Sequence, residues 1–203
     1  MLFLGFVAPH MPLVVPQKYL DMYPPELIPP AKLHPDDGFM RHPWVERMAQ
    51  HWDHDAALGT AQRRKLATAC YFGLITFLDD QVGKVLAALE ANGFVDSTRV
   101  IYTTDHGDNL GARGMWNKCV MYKEATAIPM IACGPGFAQG TVCDTNVNLV
   151  DIYPTVLDCM GLDKTPDEQG LPGKSLLRIA AEPTDTGRYG FSEYHAVGGD
   201  RSA

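Results

Sequence analysis

The residues best suited to chemistry lie in one stretch, Tyr102-Thr103-Thr104-Asp105-His106-Gly107-Asp108-Asn109-Leu110-Gly111, with Trp116-Asn117-Lys118 close behind. A carboxylate stands beside an imidazole, straight after the apolar run Arg99-Val100-Ile101-Tyr102, which reads as a buried strand. Asp105 and His106 offer one hard oxygen and one nitrogen to a divalent metal. Lys118 offers a cation that can hold an anionic ester against it. The combination points to metal-assisted chemistry on a sulfate or phosphate ester. Neighbours on an extended strand face opposite sides, so both donors reach one ion only if the chain turns, which Gly107 permits. The alternative is that Asp105 caps the following turn while His106 bonds locally.

His10 is the second candidate. It sits in Pro9-His10-Met11-Pro12, where the prolines stiffen the backbone around an imidazole able to bind an oxyanion or protonate a leaving oxygen. The plain alternative is an exposed loop histidine. Glu193-Tyr194-His195 follows an expected short strand and can line a pocket from the C-terminal side, with a structural role as the alternative. Asp79-Asp80 lies on a helix, where neighbours diverge by about 100° and cannot chelate one ion together. His51 and His54 stand in a polar run that reads as surface.

The elements that must position these groups follow from the pattern. Leu2 to Val7 is a candidate first strand ended by Pro9-His10-Met11-Pro12. Residues 12–45 hold most of the prolines and should wander over the surface without regular helix or central strand. From about Thr60 to Asn92, apolar residues at 74, 77, 78, 82, 85, 86 and 89 recur at helical spacing, and Asn92-Gly93 supplies a stop. Arg63-Arg64-Lys65 near its start reads as solvent-facing. A strand, a glycine-rich loop with a short helix, and a second strand (Pro129 to Cys133) into Gly134-Pro135-Gly136 come next. A helix from about Val150 to Met160 closes at Gly161, and a strand is expected at Tyr189 to Tyr194. Alternating helices and apolar strands favour an α/β domain with a mostly parallel sheet. In such sheets ligands gather outside the carboxyl ends of strands, so the expected strands place Asp105, His106 and His10 at one end. Residues 1–163 then form the main α/β domain and 164–203 a smaller C-terminal appendage.

Composition narrows the partners. The net charge of -7 and the absence of a Lys/Arg cluster argue against nucleic acid. No apolar run approaches the roughly 20 residues of a membrane span. Five cysteines without a C-x-x-C pair argue against a disulfide framework or zinc knuckle and favour a reducing, cytoplasmic setting, with the periplasm as alternative. A small anionic ester is the expected partner, and a homo-oligomer is left open.

Thr104-Asp105-His106-Gly107-Asp108-Asn109-Leu110-Gly111, then Trp116-Asn117-Lys118 and Ile128-Pro129, resemble the sulfatase family of the alkaline-phosphatase superfamily. Pro9-His10-Met11-Pro12, Leu78-Asp79-Asp80-Gln81-Val82-Gly83 and Asp151-Ile152-Tyr153-Pro154-Thr155 agree in order, so the likeness covers most of residues 5 to 175. Ser192-Glu193-Tyr194-His195 is similar to members acting on choline sulfate or related small esters. The resemblance implies an alkaline-phosphatase-like α/β fold, with Asp105 and His106 as ligands of calcium or manganese. It also implies that Lys118 bridges the sulfate or phosphonate oxygens, that His10 binds the ester and assists the leaving group, and that His195 contacts substrate. The family's nucleophile is a formylglycine made within C/S-x-P/A-x-R, a motif that none of the cysteines or serines here occupies; Cys133 comes nearest, with Phe137 in place of the arginine. The start at Met1 therefore reads as the loss of an N-terminal portion carrying that nucleophile and the paired aspartates. The expected function is that of a sulfuric ester hydrolase, with a phosphodiesterase or phosphonate monoester hydrolase as the alternative. A truncated fold that only binds an anion or metal is the non-catalytic rival, and the 203 residues alone are expected not to turn over sulfate esters.

Overall fold

The computed structural model describes residues 1–194; His195, expected as a substrate contact, lies outside the described residues. The Pro-rich N-terminal region carries α1 (Gln17–Leu20), single helical turns at Pro25–Leu27 and Pro35–Asp37, and α2 (Pro43–His51). It is mostly the irregular path expected. α2 nonetheless begins inside it, because Pro43 occupies the first helical position and the His42 ring accepts from the Trp44 amide. A short α3 (His54–Leu58) is capped by Asp53, whose side chain accepts from the Ala56 amide, and stops at Gly59.

α4 (Ala61–Ala91) is the long helix that the apolar spacing predicts, with Thr60 as its N-cap and Asn92 at its C-terminal end. Its first half is buried, at Ala67, Ala69, Gly73, Leu74 and Leu78. α1 packs there, fixed by Tyr19 donating to Asp80 at 2.7 Å and by a 2.6 Å bond between the Tyr23 and Thr76 hydroxyls. Leu86, farther along the predicted stripe, is exposed.

Two strands follow, β1 (Val100–Thr103) and β2 (Met130–Cys133), separated in sequence by α5 (Lys123–Thr126). They pair antiparallel, Val100 opposite Cys133 and Thr103 opposite Met130. For these two strands this departs from the mostly parallel sheet expected, because an order of alternating helices and strands suggests parallel neighbours without fixing which strands pair. The chain after β2 turns at Gly134 as anticipated, and Arg99 donates to the Pro135 carbonyl at 2.7 Å. Then come α6 (Ile152–Met160), closed by left-handed Gly161, and α7 (Leu176–Ala181), which packs on α6.

Neither terminal strand forms. Residues 2–7 adopt no regular secondary structure and pair with no strand among the described residues, and Phe3 and Val7 are largely exposed. A strand needs a ladder partner for its amides, and apolar sequence alone does not supply one. Residues 189–194 are held instead by Asn148, whose side chain donates to the Tyr189 carbonyl and accepts from the Phe191 amide. The described residues fall into two compact units: residues 1–92 with 107–125, and residues 93–106 with 126–194. In the second unit the core is pinned by Asp151, fully buried, which accepts from Arg188 at 2.6 Å and from the amides of Asn148 and Lys174. None of the helices among the described residues is long and apolar enough to cross a membrane.

Candidate active site

In the first unit, the loop from Gly107 to Tyr122 carries Lys118. Its course is set by a chain of short-range bonds. Asp108 accepts from the amides of Leu110 and Asn117, at 2.9 and 3.1 Å. Buried Asn109 donates from its backbone to the Asn117 carbonyl at 2.8 Å and from its side chain to the same oxygen. Leu110, Arg113, Asn117 and Cys119 all adopt left-handed φ, which few side chains accept without a surrounding structure that enforces it. Two glycines are required by space. At Gly107 a Cβ would run into the Glu124 carbonyl, and at Gly111, with φ 81°, it would crowd the Trp116 ring and Ala31 at 3.2 Å. Gly107 is thus required by the close approach of the Glu124 backbone, beyond the turn it was expected to permit.

His10 meets this loop. Lys118 Nζ lies 2.7 Å from His10 Nε2, although the two are 108 residues apart in the chain. His10 Nδ1 lies 2.9 Å from the Met11 carbonyl, which can only accept. Nδ1 therefore carries the proton, and Nε2 accepts from the lysine. The sequence predicts His10 at a strand end; it stands instead in a turn, its amide donating to the Val7 carbonyl, flanked by cis peptide bonds at Ala8-Pro9 and Met11-Pro12.

In the second unit, Asp105 forms a bend just after β1. The bend brings Asp105 Oδ2 and His106 Nε2 to 3.5 Å, with Asp105 largely exposed and His106 partly so. Asp105 Oδ1 also accepts from the His106 amide at 3.1 Å, the local bonding that the alternative reading of this pair expects. The 3.5 Å spacing suits two adjacent ligands of one cation with metal–oxygen distances of about 2.3–2.6 Å. Among the described residues no group of three or more His, Cys, Asp or Glu gathers that could hold a metal ion.

Sequence reasoning missed the residue that anchors the lysine loop. Asp55, buried at the start of α3, accepts from Trp116 Nε1 at 3.0 Å, from His34 Nε2 at 3.0 Å, and from Arg64 through Nε and the terminal nitrogen at 2.8 Å. Burial pushes this carboxyl up, but the hydrogen bonds from Trp116, Arg64 and His34 outweigh it and hold its pKa below the usual carboxylate range. Arg64 is only 13% exposed, with its other nitrogen on Asp36, which corrects the solvent-facing reading of that basic run. Donors converging from three distant segments leave no local spacing signal. His51 is exposed as anticipated, whereas His54, read as surface with it, is half-buried, and the next residue, Asp55, turns inward.

The chain matches the sulfatase family model over residues 1–162. The chain belongs to the sulfatase family. It is 32% identical over 183 residues to a sulfatase of Formosa agariphila, covering 87% of this chain and 34% of that protein. To the choline-sulfatase of Rhizobium meliloti it is 30% identical over 175 residues, covering 85% and 34%. Among solved structures, a phosphonate monoester hydrolase from Silicibacter pomeroyi superposes with TM-score 0.76 at 32% identity, covering 90% of this chain and 36% of that one. The sulfatase-type chain described here thus spans about a third of the length of the relatives it matches. Its fold class is the α/β, alkaline-phosphatase-like one expected, represented among the described residues by helices and a small antiparallel sheet.

Proposed function

We propose that this chain supplies part of the catalytic centre of a sulfuric ester hydrolase. In it Lys118 binds the ester oxyanion, and His10 binds the ester and assists the departing oxygen. Asp105 and His106 contribute two ligands to a divalent cation, calcium or manganese, and His195 contacts substrate. The observation that carries this reading is the 2.7 Å approach of Lys118 Nζ to His10 Nε2 from segments far apart in sequence. An ammonium with three donors beside an imidazole suits a tetrahedral oxyanion, which presents only acceptors. The cation, when bound, acts as a Lewis acid and template for the ester. Lys118 adds fixed positive charge where negative charge grows as the ester bond breaks. The nucleophile expected of the family, a formylglycine, has no matching motif in these 203 residues, so the chain alone binds oxyanions without turning them over.

Phosphonate or phosphodiester hydrolysis at the same site is the second reading, favoured by the likeness to the phosphonate monoester hydrolase. Titration calorimetry with sulfate and with methylphosphonate tests both. Sulfate binding that weakens strongly in Lys118→Ala and less in His10→Ala is the expected result. Binding of sulfate unchanged in both variants removes the pair from the site, and a large preference for methylphosphonate favours the second reading. Robust hydrolysis of an aryl sulfate by the purified chain would overturn its assignment as catalytically incomplete.

A further inference from the structure

Trp116 fixes where Lys118 can be. Its ring is buried, two residues before the lysine. The intervening Asn117 is locked in a left-handed conformation, with its amide on Asp108 and its carbonyl on Asn109. With so little slack between them, the orientation of the indole sets the direction from which Lys118 reaches His10. Indole orientation in turn depends on one acceptor, Asp55 Oδ1 at 3.0 Å.

That acceptor is itself held from every side. The Asp36 amide donates to His34 Nδ1 at 3.1 Å, which puts the His34 proton on Nε2, directed at Asp55 Oδ2. Arg64 clamps the same carboxylate through two nitrogens, a planar arrangement that fixes its rotation. A tryptophan that only filled volume would need no buried carboxylate. A charged, rotationally fixed acceptor holds a donor in one direction more firmly than a neutral one.

We propose that Asp55 is a positioning residue, acting through the indole N–H of Trp116 to hold Lys118 in register with His10. The proposal deepens the reading of Lys118 and His10 as the oxyanion-binding pair and rests on it. Asp55 touches no substrate.

The test uses the 203-residue chain and inorganic sulfate, with nitrogen-resolved NMR of the His10 ring and calorimetric binding. Trp116→Phe keeps the ring and removes the donor. It is expected to shift both His10 ring nitrogens away from their wild-type positions and to weaken sulfate binding about tenfold, the loss that follows from one positioning hydrogen bond. Asp55→Asn retains an acceptor oxygen and is expected to restore part of the affinity that Asp55→Ala loses. Should Asp55→Ala fail to fold, Trp116→Phe still decides. A folded Trp116→Phe chain with wild-type His10 signals and wild-type sulfate affinity overturns the positioning role, while leaving the oxyanion pair intact if Lys118→Ala abolishes binding. A wild-type chain that does not bind sulfate sinks the functional reading instead, and the His10 signals in Trp116→Phe still judge the positioning claim by themselves.

Discussion

Replacing Asp55 by alanine should cost far more than removing the exposed partner of the same arginine, Asp36. The substitution leaves the Trp116 indole N–H and the His34 Nε2–H without their acceptor, both in buried side chains, and strips Arg64 of its better-shielded partner. A buried donor left unpaired costs about 1–3 kcal/mol, and breaking a buried ion pair from one side about 3–5 kcal/mol. These overlap rather than add, so about 3–5 kcal/mol is expected, or roughly 6–20 °C in Tm for a chain of this size. Asp36→Ala is the control, because Asp36 bonds the same Arg64 but is 67% exposed, and about 0–1 kcal/mol is expected there. Urea and thermal unfolding followed by circular dichroism measure both. The pH dependence carries its own sign. The Asp55 carboxyl titrates lower folded than unfolded, so its charge stabilises fully above the ordinary value of about 4 and is lost as pH falls through the lower folded value. The stability gap between wild type and Asp55→Asn should therefore stay level from neutral pH to about 5 and close only in stronger acid. A loss below about 1 kcal/mol in Asp55→Ala, or a gap that closes between pH 7 and 6, would refute this account of the cluster.

Gly111→Ala combines a left-handed φ of 81° with 3.2 Å contacts to Ala31 and Trp116, and should destabilise the first unit by about 2 kcal/mol or more in chemical unfolding. In the second unit, Arg188→Ala removes the side-chain cation from fully buried Asp151, which keeps only backbone amides; a loss of about 3 kcal/mol is expected in the same assay. Manganese added to the wild-type chain should broaden the His106 ring signals, and Asp105→Ala should suppress that broadening. Equal broadening in both would take Asp105 off the ligand set.

What could be read from the sequence was local. The span of α4 was legible because its helical spacing and the Asn92-Gly93 stop fall within one segment, and Gly161 marked the end of α6. A change of direction at Asp105-His106 was legible from the glycine-rich run after the strand, and a bend is there. The direction of strand pairing was not, since an order of helices and strands along the chain does not say which strands become neighbours. Residues 2–7 show the same limit in another form, because an apolar run declares a strand only when something pairs with it. Asp55 was invisible for a third reason. Its role is defined by His34, Arg64 and Trp116, whose distances along the chain follow no period, and its own neighbours His54 and Ala56 mark only a short helix.

On the proposed reading, the pairing of His10 with Lys118 separates two tasks, oxyanion binding and assistance to the leaving oxygen. An ammonium has three donors, so Lys118 can keep one on His10 Nε2 and turn the others toward an arriving oxyanion. Binding on that basis needs no rearrangement of the pair. Assistance to a leaving oxygen does, because a nitrogen that accepts from Lys118 has no proton to give. His10 can donate from Nε2 only after that nitrogen takes up a proton and the lysine bond is surrendered, and an anion drawing Lys118 toward itself favours that exchange. The Met11 carbonyl holds the other proton on Nδ1 throughout, which keeps the ring oriented while its far nitrogen changes role. Oxyanion affinity should therefore depend chiefly on Lys118, and leaving-group assistance on His10 with its ring still anchored at Met11.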